Sequence, residues 1–234
     1  MESEIFRRGL AWHTYNNLET DFVNALRYVA LDKANKETWS ESIAQQLLLV
    51  GSTLDSVFNE MRESSQIQAS KGVAHLKEKR DPNIGDYREV FEDVYELSGI
   101  ELIAHYGLTN YGSIKPFEAF HSNETPIWWK AYNVVKHEFF QNMRSGTLDN
   151  LVNALGGLFA LNVTHKDSQP YLIDSGVIFG LAGTQRFTGS DIWNWLKISL
   201  IGIPHNVASD VWAQSPVFQH KFRRDKSKEI DSSF

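Results

Sequence analysis

Apolar positions recur at helical spacing through most of the first two thirds of the chain. Leu18, Phe22, Ala25, Leu26 and Val29 share one face of a helix predicted from about Leu18 to Ala30. Thr38-Trp39-Ser40-Glu41 has the form of a capping box, in which the Thr hydroxyl and the Glu carboxylate each take an orphan backbone donor; a second helix is predicted to start at Thr38. From there Ile43, Leu47, Val50, Leu54, Val57, Phe58 and Met61 carry one apolar stripe through about six turns, a length that requires helical neighbours to cover it. Residues 64–83 lack such a stripe. Ser64-Ser65, the run Lys77-Glu78-Lys79-Arg80 and the closing Asp81-Pro82-Asn83 predict a loop or exposed arm there. Helical spacing returns from Asp86 to Leu97 through Tyr87, Val90, Phe91, Val94 and Tyr95, whereas Ile100 to Ile114 fits no single period.

Thr125-Pro126 marks a helix start, with Thr as N-cap and Pro at the first helical position, where a missing N–H costs nothing. That helix is predicted to run to about Met143. Ser145-Gly146-Thr147 then closes it and opens another, to about Val163, with Leu148, Leu151, Leu155, Leu158 and Phe159 inward and Asp149 placed for the helix dipole. So short a link predicts an antiparallel αα-hairpin. Beyond Thr164 the pattern changes. Tyr171-Leu172-Ile173 and Gly176-Val177-Ile178-Phe179-Gly180 suggest two strands around Asp174-Ser175, Ser190 to Leu200 a Trp-rich helix, and Val211 to Phe222, interrupted by Pro216, at best an edge strand. The expected fold is mainly α, an antiparallel helical bundle over residues 1–165 with a small α+β appendage over 166–234.

Composition narrows the chemistry. The 234 residues are 42% hydrophobic and 22% charged, ordinary values for a globular chain. Cysteine is absent, which excludes disulfides, thiolate metal sites and cysteine nucleophiles and points to reducing cytosol. Met1-Glu2-Ser3-Glu4-Ile5-Phe6-Arg7-Arg8 leads into no apolar run of signal-peptide length, and no stretch approaches the roughly 20 apolar residues that span a bilayer. No membrane association is expected. A net charge of −6 argues against non-specific coating of duplex nucleic acid. Charge is nonetheless uneven: Asp86 to Glu101 is acidic, while Lys221, Arg223, Arg224, Lys226 and Lys228 form a basic tail.

One helix concentrates suggestive chemistry. Between Thr125 and Met143, Trp128, Tyr132, Val135 and Phe139 form the predicted core face, while Asn133 and His137 lie one turn apart on another side, continued by Phe140 and Arg144 and flanked by Lys130 and Lys136. A carboxamide and an imidazole one turn apart, with ammonium groups beside them, suit the holding of a phosphate and the transfer of a proton. The same pair also suits hydrogen bonding to a neighbouring helix, which fixes its position and nothing more.

The stretch Pro126-Ile127-Trp128-Trp129-Lys130-Ala131-Tyr132-Asn133-Val134-Val135-Lys136-His137, followed by Leu148-Asp149-Asn150-Leu151-Val152-Asn153-Ala154-Leu155, resembles the core helical hairpin of HEPN-like proteins. These are helical bundles frequent in bacterial defence and toxin systems. The likeness covers about residues 15–165, with the Thr38–Met61 helix fitting the earlier part of such a bundle. In that superfamily an Arg, commonly followed by Asn, precedes a His by four to six residues; active members pair as homodimers and cleave RNA without a metal. The resemblance therefore implies a metal-independent ribonuclease or an RNA-binding protein, with Asn133 and His137 matching the motif's Asn and His. Tyr132 stands where the motif has Arg. A phenol offers one donor and no positive charge, whereas a guanidinium clamps a phosphate bidentately; Lys136 or Arg144 would have to supply the charge. On this reading His137, Asn133 and Lys136 are the catalytic candidates, with Lys130, Tyr132 and Arg144 on the substrate. The competing expectation is a non-enzymatic protein whose bundle and Trp-rich C-terminal region bind a partner protein or nucleic acid.

Other constellations point nowhere. The eight His are scattered, with no His-Glu-x-x-His and no pair at ligand spacing, so no metal is expected. There is no Walker loop or dinucleotide fingerprint, hence no expected cofactor, and Gly156-Gly157 lies in an apolar helix where it suits close packing. Trp128-Trp129 suits core packing as well as base stacking.

Overall fold

The computed structural model describes residues 2–106, 110–165, 168–182, 185–186 and 209–221. The chain is mainly helical with a small antiparallel sheet. Helix α1 (Glu2–Ala25) starts well before Leu18 and stops before Ala30. The buried stripe of Leu18 and Phe22 extends back through Tyr15 and Trp12, so the packed face continues past the polar Asn16-Asn17 that masked it. After α1 the chain passes through a short 3-10 turn, Lys33–Asn35, capped by the Asp32 side chain.

Helix α2 (Glu41–Met61) buries the stripe expected of it, from Ile43 to Met61, but its cap is Ser40 and not Thr38. The Ser40 hydroxyl accepts from Ile43 N at 3.1 Å. Thr38 lies outside the helix, its carbonyl accepting from Leu148 N at 2.7 Å, while Lys36 O accepts from Asp149 N at 3.0 Å. Residues 64–83 are not an arm. They form α3 (Ser65–Gln68) and α4 (Val73–Glu78), which bury Ile67, Val73 and Leu76; each helix is too short to display a period. Helix α5 (Ile84–Tyr95) follows from a capping box of Asn83 and Asp86.

The unassigned stretch after it supplies strands β1 (Leu102–Ala104) and β2 (Gly112–Ile114). Helix α6 (Ile127–His137) is followed by a second short helix, α7 (Phe139–Asn142), and by α8 (Leu148–Thr164). Thr147 caps α8 as predicted, its hydroxyl accepting from Asn150 N. Helix α8 is buried on nearly every side, packed by α1, α2 and α6, and is the centre of the molecule. Its Gly156-Gly157 pair admits neighbours that a side chain would exclude. A Cβ on Gly156 would lie 2.7 Å from Ile114 Cδ1, and one on Gly157 would lie 3.2 Å from the Phe117 ring.

Two expectations for the C-terminal third are corrected. Tyr171-Leu172-Ile173 is not a strand but part of helix α9 (Gln169–Asp174), with Leu172 and Ile173 buried. The stretch after Val211 is no edge: β5 (Ser209–Gln214) and β6 (Phe218–Lys221) flank a turn holding Pro216, where a missing N–H does no harm. With β3 (Ile178–Ala182) and β4 (Gln185–Arg186) they build one sheet of order β2-β1-β6-β5-β3-β4, antiparallel throughout. Position 165, the expected boundary, is the C-cap of α8, and the sheet draws strands from both sides of it. The expected helix Ser190–Leu200 and most of the basic tail lie outside the described residues. Among the described residues no helix is long and apolar enough to cross a membrane.

Candidate functional site

Helix α6 begins after Pro126, which takes the N-cap position that Thr125 was expected to fill, and no side chain caps it. Its inward face is Trp128, Trp129, Ala131, Tyr132 and Val135. Trp128 donates its indole N–H to Pro116 O at 2.6 Å, and Trp129 packs edge-on against Phe58 and Tyr132. Both indoles therefore belong to the core.

The helix ends six residues earlier than expected. Glu138 leaves the helical region at φ −140°, ψ 68°, and the chain turns through α7 and a 3-10 turn, Met143–Ser145. Gly146 then seats against α2, where a Cβ would stand 2.7 Å from Ala44 Cα. Phe139, expected in the core, is only half-buried, and Phe140 is 85% exposed.

The predicted site residues divide between two faces of α6, and the break sets Arg144 apart from them. Asn133 is half-buried and His137 exposed, both on the outer side of α6, and Lys130 shares that side by helical spacing. Among the described residues neither the Asn133 nor the His137 side chain makes a hydrogen bond, so neither ties α6 to a neighbouring helix. Tyr132 points the other way. It is 2% exposed, and its ring fills the notch left by Gly51 on α2. Lys136, one turn on, holds its ammonium 5.3 Å from the centre of the Tyr132 ring. It also faces Asp55, one turn after Gly51: burial pushes the Asp55 carboxyl up from its ordinary range, and the Lys136 charge partly offsets this. Arg144 lies elsewhere, its guanidinium 5.3 Å over the Trp39 ring beside the start of α2. The outer face of α6 thus gathers Lys130, Asn133 and His137, while Lys136, Tyr132 and Arg144 are directed to α2 and its approach. Ile127, 76% exposed, and the exposed Val134 complete that outer face.

A second polar cluster escaped the sequence reading. Glu19 on α1 is 2% exposed and accepts through Oε1 from Tyr15 OH at 2.7 Å, Ser215 Oγ at 2.6 Å and Val217 N at 3.0 Å. Desolvation raises its carboxyl above the usual range, against the opposing pull of these donors and of His105. Its signal was a Glu within the stripe Tyr15, Leu18, Phe22. Among the described residues no three of His, Asp and Glu converge as metal ligands.

Compared with protein-family models, with curated proteins and with solved structures, the chain finds no match.

Proposed function

We propose that this protein acts on RNA through the outer face of α6, as a HEPN-like protein of a bacterial defence or toxin system. The observation that carries the reading is that Asn133 and His137 reach solvent together from one helical turn, without an internal partner and with the Lys130 ammonium on the same side. Lys130 and Asn133 hold phosphoryl oxygens, and the His137 imidazole takes the proton of a ribose 2′-OH. The 2′ oxygen then attacks the adjacent phosphorus, the bond from phosphorus to the 5′ oxygen breaks, and a 2′,3′-cyclic phosphate forms. The departing 5′ oxygen takes its proton from a second imidazole, which a second copy of the chain supplies as its own His137.

The test is cleavage of labelled RNA by wild type and by His137→Ala. General acid–base catalysis contributes about 10²–10⁴-fold, so the variant loses at least about a hundredfold in rate while its circular dichroism stays unchanged. Cleavage at the wild-type rate by His137→Ala removes the assignment. A second reading is an interaction protein without catalysis, favoured by the burial of Tyr132, which leaves no guanidinium at the motif's Arg position, and by the exposed Ile127 and Phe140 beside the same face. RNA or protein bound specifically by wild type with no cleavage at any enzyme concentration distinguishes it.

A further inference from the structure

Where α1 ends, the chain is drawn away from it. Residues 36–38 hydrogen-bond to the first turn of α8, so α2 starts beside α8 and a space opens between the end of α1 and the start of α2. That space is a cavity of about 530 Å³. Protein interiors leave few voids larger than a water molecule, and ligand pockets run from roughly 300 to 1,000 Å³. Its walls are mostly apolar, with Phe22, Leu26, Ile43, Leu148 and Leu151 among them and Asn24, Ser40 and Ser42 as polar exceptions. Asp21, exposed at its edge, is the one charged residue lining it and makes no ion pair among the described residues. Gln46 also lines the cavity, and its Oε1 is buried without a hydrogen-bond partner; the last torsion of Gln is soft and can turn that oxygen toward a donor. Tyr28, 89% exposed, stands at the mouth.

The geometry points to a binding site for a small amphipathic amine, an aromatic or aliphatic body in the apolar chamber with its cationic nitrogen toward Asp21 and Gln46. A carboxylate, an acceptor with no partner and an exposed aromatic ring together favour an N–H cation over an anion. A purely apolar occupant would leave the buried Gln46 oxygen unmet. The site is separate from the outer face of α6, and its test does not depend on RNA.

Tryptamine and indole-3-propionate carry the same ring on tails of opposite charge. Titrated into the full chain and followed by backbone amide shifts, tryptamine is expected to perturb Phe22, Ile43 and Leu151 at millimolar concentration and to bind about fivefold more tightly than the propionate. Asp21→Asn, a surface change, removes that preference, and Ala25→Phe, which fills the chamber from α1, weakens both ligands. If tryptamine leaves those amides unmoved, or if the preference survives Asp21→Asn, the proposal is overturned. Binding that survives Ala25→Phe in a folded variant places the ligand elsewhere and overturns it as well.

Discussion

The ring of Tyr132 occupies the space that a side chain on Gly51 would fill. A Cβ built at Gly51 stands 2.3 Å from Tyr132 Cδ2 and 2.5 Å from its Cγ, inside any tolerable contact. Trp129 packs edge-on to the same ring, and Lys136 covers it from the next turn, so the ring is held on those sides as well. In an exposed helix Gly→Ala stabilises by about 1 kcal/mol. At position 51 the sign reverses: Gly51→Ala is expected to destabilise by about 1–3 kcal/mol through overpacking. Urea unfolding of Gly51→Ala, Tyr132→Leu and the double variant checks the coupling. The double variant should be clearly less destabilised than the sum of the two, and simple additivity would show that the contact is not shared.

Placing at position 132 the Arg that HEPN-like motifs carry should not confer their chemistry. Tyr132→Arg places a guanidinium in a site that is 2% exposed, against Gly51 and Trp129, with Lys136 adjacent. Burying that charge is expected to cost about 3 kcal/mol or more. The expected outcome is a lower urea midpoint with no gain in RNA cleavage. A stable and more active Tyr132→Arg protein would mean that the ring is not committed to the core.

Glu19 gives the fold a pH dependence whose sign follows from its burial. Its carboxyl is raised in the folded protein relative to the unfolded chain, chiefly by desolvation. The stability it contributes is therefore fully present below the unfolded value of about 4.3 and declines as pH rises through the folded value. Glu19→Gln keeps an oxygen for Tyr15, Ser215 and Val217 without the charge. Relative to wild type, the Gln variant should gain ground in urea unfolding as pH climbs from 4 toward 8. A difference that stays flat, or that moves toward Glu, contradicts the assignment. Glu19→Ala, which strands those three donors, should be destabilised by about 1–3 kcal/mol at every pH.

Much of the helical frame was legible because periodicity is a local signal. Ile43 to Met61 and Leu148 to Phe159 repeat their spacing over several turns and are buried as that spacing requires. What escaped depends on partners distant in sequence. Strand β6 was read as an edge because Pro216 interrupts the run, yet Phe218 pairs with Ala104, and Ser215 is tied to Glu19. The end of α6 carries no Gly or Pro, and the chain beyond it brings Gly146 against Ala44. At the candidate site, the common face of Asn133 and His137 followed from spacing alone. The inward turn of Tyr132 did too, but its seat against Gly51 and the diversion of Lys136 toward Asp55 did not, because both are decided by residues on another helix. Asp149, read as a dipole partner, also pairs with Lys36 at 2.8 Å and accepts from Tyr111 OH at 2.7 Å.

Lys130 and Lys136 separate the proposed RNA face from the core-facing side of the same helix. Both ammonium groups are solvent-exposed, but Lys130 shares the outer side with Asn133 and His137, whereas Lys136 lies over Tyr132 and faces Asp55. A phosphate approaching Asn133 and His137 meets Lys130 first, while at Lys136 it competes with a carboxylate. For single-stranded RNA each neutralised phosphate contributes about −0.7 to the slope of log K against log salt. Lys130→Ala should therefore weaken RNA binding and make the slope shallower by about 0.7, and Lys136→Ala should leave the slope unchanged. Fluorescence anisotropy across a salt series at fixed pH measures both. If Lys136→Ala flattens the slope and Lys130→Ala does not, RNA lies against α2 rather than on the outer face of α6, and His137 loses its place beside the phosphate.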